Sequence, residues 1–311
     1  MTRPSLSVVI PTHDTRELTL ACLESLAAGG VDTLEVVVVD DASTDGTAAA
    51  VRHVMAEAVV VSTTGNVGFT RAVNAGVERS AGAVILILNS DTEVFEGALA
   101  AAVAAFADEP ELGIAGAELF DPGGGAQWRA GCRPSTVWLF ALTSGLGAAL
   151  ARLPGRRLLG AAGAGRSGPV DWVTGAAMAV RREVWEQCGP MDEGYRFYGQ
   201  DLDLCVAAGA AGWTVAVVPG FRVLHHHGAT IGGRPGAVGG VNPALLWSDL
   251  VRFVGKVDGE AAARRARTVM RLGGRLRLAV RWLASPLVGA REQWRRDSDA
   301  LRAAVDALRA V

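Results

Sequence analysis

One lysine, Lys256, stands in a chain whose other permanently cationic side chains are all arginine. A sequence this poor in lysine has no Gly-x-x-x-x-Gly-Lys phosphate loop. Its first apolar run ends in Pro11-Thr12-His13 and not in a Gly-x-Gly-x-x-Gly turn. A dinucleotide site, which needs bare backbone against a pyrophosphate, is therefore not indicated. The four cysteines, Cys22, Cys132, Cys188 and Cys205, are far apart and form no Cys-x-x-Cys pair. That argues against a zinc site or a disulfide framework and fits a reduced, cytosolic setting. Long apolar runs are also missing: Val137 to Ala151 falls short of the roughly 20 residues that span a bilayer. Leu6–Ile10 is too short for a signal-peptide core.

What is present is a chain of 311 residues, 50% hydrophobic and 20% charged. That composition excludes disorder and is long enough for a core without staples. The net charge of −2 gives no indication of a nucleic-acid partner. The charge is unevenly placed, because from Glu260 onward 12 Arg face 5 Asp or Glu.

Short, nearly continuous apolar runs at Leu6–Ile10, Leu34–Asp40, Val59–Thr63, Ala83–Leu88 and Leu112–Glu118 predict strands buried on both faces of a sheet. Helix-like spacing at Glu17–Ala28, Thr44–Met55, Thr70–Ser80 and Gly97–Asp108 alternates with them, so an α/β layer is expected. Ser43 or Thr44 is the expected cap of the second helix, with Asp45 in its first turn. Asp121 to Pro169 is rich in Gly, Ala and Arg and shows no usable period. Beyond it the pattern predicts a strand at Ala176–Arg181 and helices at Arg182–Gln187 and Asp201–Ala211. A strand at Thr214–Val218 is expected to stop before Pro219. Helical sequence from Asn242 is expected to break at Gly273-Gly274 and at Pro286.

Two apolar strands run into acidic residues, Asp40-Asp41 and Asn89-Ser90-Asp91. In open α/β sheets ligands bind outside the carboxyl ends of strands, although turn and cap chemistry accounts for either group alone. A phosphate ligand here needs positive charge from elsewhere, and a divalent cation on Asp91 would supply it. A third acidic group, Asp192-Glu193 with Gln200-Asp201-Leu202-Asp203, offers a general base or merely a helix cap. His225-His226-His227 follows an apolar strand. Alternate side chains of an extended chain face opposite ways, so one or two of the three at most are ligands.

In order and spacing these blocks resemble the family 2 glycosyltransferases of GT-A fold, most closely the rhamnosyltransferase-like branch. The match runs from Ser7 to Thr230. It comprises Ser7-Val8-Val9-Ile10-Pro11-Thr12-His13, Val38-Val39-Asp40-Asp41-Ala42-Ser43-Thr44-Asp45-Gly46-Thr47, Asn66-Val67-Gly68-Phe69 with Arg71, Asn74 and Gly76, and Leu88-Asn89-Ser90-Asp91-Thr92-Glu93-Val94. Asp171-Trp172-Val173-Thr174-Gly175-Ala176 with Arg181-Arg182, Asp192-Glu193, Tyr198 through Cys205, Gly212-Trp213 and His225 through Gly228 complete it.

The resemblance implies an α/β GT-A fold: a Rossmann-like, mixed, mostly parallel sheet flanked by helices, with a helical C-terminal extension. It implies a catalytic domain at 1–240, with a nucleotide-sugar half at 1–120 and an acceptor half at 170–230, and a helical region at 241–311. Pro11, Thr12 and Asp41 would line the nucleobase pocket with Asp40 beside them. Asn66, Arg71, Asn74, Asn89 and Ser90 would join the donor side. Asp91 and His225 would hold Mg²⁺ or Mn²⁺, and Asp201 would deprotonate the acceptor hydroxyl. Trp172, Gly175, Asp192 and Gln200 would shape the acceptor side. The implied reaction is inverting transfer from a dTDP-rhamnose-like or UDP-sugar donor to a glycan, a lipid-linked glycan or a small natural product.

Three positions depart from the family pattern. Gln200 replaces the usual Glu before the base, Asn89 leaves one carboxylate in the Asp-x-Asp position, and Val206-Ala207 stands where an Arg is common. A nucleotidyltransferase, or a sugar-nucleotide-binding relative without catalysis, are the alternatives. The arginines from Arg264 to Arg281 interleave with apolar residues, a pattern of either peripheral contact with the inner face of a membrane or an apolar face packed on the catalytic domain with solvated arginines.

Overall fold

The computed structural model describes residues 4–147, 168–226, 241–288 and 292–309. In chain order the elements are β1 (Leu6–Thr12), α1 (Arg16–Leu26), β2 (Leu34–Asp40), α2 (Thr47–Val54), β3 (Val59–Ser62), α3 (Phe69–Glu78), β4 (Val84–Leu88), β5 (Thr92–Val94), α4 (Ala98–Asp108), β6 (Leu112–Phe120), β7 (Ala130–Gly131), α5 (Thr136–Ser144), β8 (Gly168–Pro169), β9 (Trp172–Val173), β10 (Ala177–Arg181), α6 (Arg182–Cys188), α7 (Gln200–Ala210), β11 (Thr214–His225), α8 (Pro243–Asp258), α9 (Glu260–Val288) and α10 (Glu292–Ala307). They divide into two compact units. One comprises Met1–Gly131, Ala162–Gly194 and Gln200–His227, the other Cys132–Ala161, Tyr195–Gly199 and Gly228–Val311.

The first unit is built on a sheet of order β3-β2-β1-β4-β10-β6-β11-β5, with β8 on β11. β10 runs against both β4 and β6, and β5 and β8 run against β11, while the other strands share one direction. This is the mixed, mostly parallel sheet expected. Every residue of β1 and β4 is buried, which explains why these runs are apolar throughout and do not alternate. Leu23 and Leu26 of α1 and Leu99 and Phe106 of α4 close over one face. Each such side chain contributes about 1.5–3 kcal/mol by leaving water.

Two elements of this unit differ from expectation. β11 does not stop at Val218. It passes Pro219 with a register shift between Val217 and Arg222 and continues to His225. Pro219 and Gly220 sit exposed in that irregularity, where a residue without an N–H costs no ladder bond. α2 starts at Thr47, not Thr44, with Gly46 at its cap position and no side-chain cap. Ser43 and Thr44 are instead taken by Asp14, whose N–H donates to Ser43 Oγ at 3.0 Å and whose Oδ1 accepts Thr44 N–H at 2.6 Å. Asp45 keeps its place at the helix start, accepting Thr47 N–H at 3.0 Å.

The second unit is helical. Asn242 caps α8 by accepting Ala244 N–H at 3.0 Å, and Pro243 occupies the first turn where no N–H is needed. The expected breaks at Gly273-Gly274 and Pro286 do not occur, because α9 is continuous through both. The chain turns at Gly259 instead, where φ is 84°. The two glycines are there for close approach: a Cβ on Gly274 would lie 2.6 Å from Val305 and 2.9 Å from Trp247, and one on Gly273 would collide with Thr143. They let α5, α8 and α10 pack against α9.

Candidate active site

At the carboxyl ends of β1 and β2 the two loops are clipped together. His13 Nδ1 lies 2.7 Å from Asp41 O, and Arg16 N–H donates to Asp45 Oδ2 at 2.9 Å. The backbone N–H of Thr44 holds the Asp14 carboxyl below its ordinary value. Asp14 and Ala42 sit at φ 50° and 57°, conformations that non-glycine residues keep only where surrounding contacts enforce them. The Asp41 carboxylate is engaged on both oxygens. Oδ1 accepts Thr63 Oγ1–H at 2.9 Å and Val67 N–H at 2.7 Å, and Oδ2 accepts Gly68 N–H at 2.8 Å. It thereby shapes the loop carrying exposed Asn66. Beside it Asp40 is buried, and its Oδ1 has no hydrogen-bond partner among the described residues. Pro11 and Thr12 are buried at the end of β1. Thr12 Oγ1 lies 2.8 Å from the hydroxyls of both Thr15 and Thr19, and Thr15 Oγ1 lies 3.0 Å from Ser90 Oγ.

The second acidic end is arranged differently. β5 pairs antiparallel with the last residues of β11, placing His225 opposite Thr92. His225 Nε2 consequently stands 3.5 Å from Asp91 Oδ1, both side chains nearly fully buried. Gln127 fixes the ring: its Nε2–H donates to His225 O at 2.7 Å, and its Oε1 lies 2.9 Å from His225 Nδ1. An amide oxygen only accepts, so Nδ1 carries a proton and Nε2 is the nitrogen turned toward Asp91. His226 faces away and meets Glu93 Oε1 at 2.8 Å, the alternation that β geometry requires. His227 lies outside the described residues.

This arrangement fits a divalent cation. An imidazole nitrogen and a carboxylate turned toward one another hold a positive centre between them, either a proton or a metal ion. One carboxylate and one imidazole suit Mn²⁺ or Mg²⁺ when phosphate and water complete the shell. Among the described residues no group of three His, Cys, Asp or Glu forms a full cage.

Asp201 opens α7. Its Oδ2 accepts Gly175 N–H and its Oδ1 accepts Leu202 N–H, at 2.9 and 2.8 Å. Burial nevertheless pushes its carboxyl above the ordinary aspartate value, against those hydrogen bonds. The dipeptide Gly175-Ala176 ties this carboxylate to the β4 end, because Ala176 O accepts Asn89 N–H at 2.9 Å. Trp172 is buried, and exposed Trp128 meets it edge to face at 4.8 Å. Asp192 closes a turn on Gly194 N–H at 2.8 Å, and Gln200 is buried at the start of α7. Asn74 is used as a clip, donating to Met191 O at 2.9 Å and accepting Met191 N–H at 3.0 Å. Arg71 pairs with Glu193 at 2.9 Å.

Sequence reasoning did not find Gln127, Trp128 or Arg129, all within the stretch that has no period. Arg129 is buried beside Glu118 at 3.8 Å, and desolvation pushes its guanidinium below the ordinary arginine value. Asp249 was also missed. In the second unit its carboxylate accepts the N–H groups of Arg196, Phe197 and Tyr198 at 2.9–3.2 Å, holding the segment just ahead of α7. A charged residue at a buried helical position was the available signal.

Residues 7–152 match the model of the Glycosyl transferase family 2. The chain is 29% identical over 229 residues to the N-acetylglucosaminyl-diphospho-decaprenol L-rhamnosyltransferase of Mycobacterium tuberculosis, covering 68% of this chain and 73% of that protein. Among solved structures it is similar to a mannosyltransferase from Pyrobaculum calidifontis in complex with GDP-Man and Mn²⁺. That likeness has a TM-score of 0.58 at 17% identity and covers 98% of this chain and 86% of the other. GalNAc-T7 with UDP, GalNAc and Mn²⁺ gives a TM-score of 0.57 at 17% identity over 81% of this chain and 48% of its own. At these identities the structural likeness establishes the GT-A fold.

Proposed function

The chain belongs to the family 2 glycosyltransferases, and from that premise we propose that it moves a sugar from a nucleotide-diphosphate sugar to an acceptor hydroxyl in one inverting displacement. The observation that carries the reading is the buried Asp91–His225 pair with its Gln127 support. Asp91 and His225 would hold Mg²⁺ or Mn²⁺, which when bound offsets charge on the departing diphosphate.

The protein's own residues supply the rest. Asp40, with an open buried oxygen, accepts a base N–H, while Asp41 keeps the neighbouring loop in shape. Pro11 and Thr12 wall the base. Asn89 and Ser90 flank the diphosphate, with Arg71, Asn74 and Asn66 at the donor side. Asp201 takes the acceptor proton as the acceptor oxygen bonds to the anomeric carbon and the bond from that carbon to the diphosphate oxygen breaks. Its raised pKa strengthens it as a base. Trp172, Gly175, Asp192 and Gln200 line the acceptor side, and exposed Trp128 adds an aromatic face to it. The name of the Mycobacterium tuberculosis relative supports a deoxyhexosyl donor and a lipid-linked glycan acceptor.

The test is calorimetric titration of UDP and dTDP with and without Mn²⁺, alongside sugar transfer, in wild type and Asp91→Ala. Metal-dependent nucleotide binding should vanish in the variant, and transfer should fall at least about 10²-fold, the scale of a lost electrostatic stabiliser. Unchanged affinity and turnover would overturn the assignment.

A further inference from the structure

We propose that the outward face of α9 docks on an anionic lipid surface, a property beyond the transfer reaction and independent of it. The apolar residues of α9 fall into two sets. Ala263, Ala266 and Met270 are buried, and Gly273-Gly274 pack closely on Thr143, Val305 and Trp247. This inward set accounts for the packing of the helix in its own unit. Leu272, Leu276, Val280, Trp282 and Leu283 are 40–74% exposed. They are five of the eleven exposed large apolar side chains among the described residues, so the concentration on one helix is not ordinary surface scatter. Leu272, Leu276 and Leu283 share one face by helical spacing, with Val280 and Trp282 on its flanks. Core packing explains the first set and leaves the second largely in solvent.

Charge decides what covers it. Arg265, two turns before Leu272, and Arg275, three residues after it, are exposed and have no ion-pair partner among the described residues. Exposed Arg295 at the start of α10 is likewise unpaired. A cavity of about 250 Å³ lined by Trp282, Trp294, Arg281, Arg295, Asp299 and Arg302 lies beside the stripe. Arg281 and Arg302 are paired with Asp297 and Asp299, so the cation it adds to the edge is Arg295, beside two indoles. Leucines and tryptophan bordered by arginine fit a bilayer interface with negative headgroups. A second copy fits poorly, because a symmetric contact would bring Arg265 and Arg275 toward their own counterparts. No helix among the described residues is long and apolar enough to cross a membrane, so the helix lies on the surface.

The test uses the full chain with vesicles of phosphatidylcholine alone or mixed with phosphatidylglycerol, read by co-sedimentation and by the emission of Trp282 as the difference from Trp282→Phe. The expected result is binding to the mixed vesicles at low salt, a blue-shifted Trp282 and release by salt. Leu276→Glu with Leu283→Glu, and separately Arg265→Glu with Arg275→Glu, should each weaken binding at least about 10-fold with melting temperature unchanged. Absence of vesicle binding at low salt, equal binding to neutral vesicles, or binding untouched by either pair would overturn the proposal. So would a dimer in sedimentation equilibrium that the leucine substitutions dissolve, since that outcome assigns the stripe to a second copy.

Discussion

At the end of β2 the Asp41 carboxylate meets three protein donors, whereas at the end of β4 the Asp91 carboxylate meets, among the described residues, only an imidazole nitrogen. Both residues follow a buried apolar strand, and by type and position they look equivalent. They differ in which donors reach them. A carboxylate that collects the backbone N–H groups of one loop is committed to that loop's geometry. Asp249 belongs with Asp41 in this respect, gathering three N–H groups. Asp40, with an unpartnered oxygen, belongs with Asp91. Asp201 stands between the classes: it accepts two backbone N–H groups and is still pushed above its ordinary pKa by burial. The donors that reach a carboxylate thus set Asp41 and Asp249, with three each, apart from Asp40 and Asp91, while Asp201 accepts as many backbone N–H groups as Asp41 and has to be sorted by its chemistry.

The strongest way to break this comparison is Asp201→Asn. If Asp201 is chemical despite its two hydrogen bonds, the variant binds donor nucleotide normally and transfers sugar at least about 10²-fold more slowly. The pH dependence gives an independent reading. A base must be ionised to act, so kcat/KM should fall as pH drops through a value above the ordinary aspartate pKa, and that acid limb should disappear in the variant. The same shift has a stability consequence of opposite sense. The fold holds the proton more tightly than the unfolded chain does. This contribution is complete below the unfolded value and is lost as pH rises through the raised one. Near-normal transfer by Asp201→Asn would move the base elsewhere, and Asp203 is the next carboxylate to replace.

Asp249→Ala sharpens the other side of the comparison. It leaves three part-buried N–H donors without their acceptor, at about 1 kcal/mol each. Urea denaturation should show a loss of about 3 kcal/mol or more if the unit is to keep its loop. A loss within about 0.5 kcal/mol, the range of ordinary surface changes, would remove Asp249 from the structural class.

The acidic strand ends were legible because apolar runs fix where a buried parallel strand stops, and whatever follows lies at the ligand-binding edge. The alternation of His225 and His226 was legible for the same geometric reason. Gly273-Gly274 was misread because glycine marks both a broken helix and a close approach. Only the positions of Thr143, Val305 and Trp247 decide between them. Pro219 was misread as a strand end because its tolerance depends on a register shift against β6 that no local pattern encodes. Asp41 and Asp40 could not be told apart at all, since the donors that distinguish them come from residues 63–68.

Gln127 gives the smallest effect and the most specific one. Its two contacts to His225 are of the kind that orient a ring proposed as a ligand. With Gln127→Ala the proton is free to move to Nε2, which would turn a donor toward Asp91 and close the pair to a cation. Mn²⁺ affinity, measured by electron paramagnetic resonance with UDP present, should fall about 10-fold, the lower end of such losses. Nucleotide affinity without metal should stay the same, a separation that a general loss of packing would not produce. Gln127→Glu tests the atom responsible. A carboxylate still accepts the Nδ1 proton but cannot donate to His225 O, so Mn²⁺ affinity should recover while thermal stability does not. Equal Mn²⁺ affinity in wild type and Gln127→Ala would show that the β-pairing of His225 with Thr92 orients the ring unaided, and Gln127 would then join Asp41 and Asp249 as a purely structural contact.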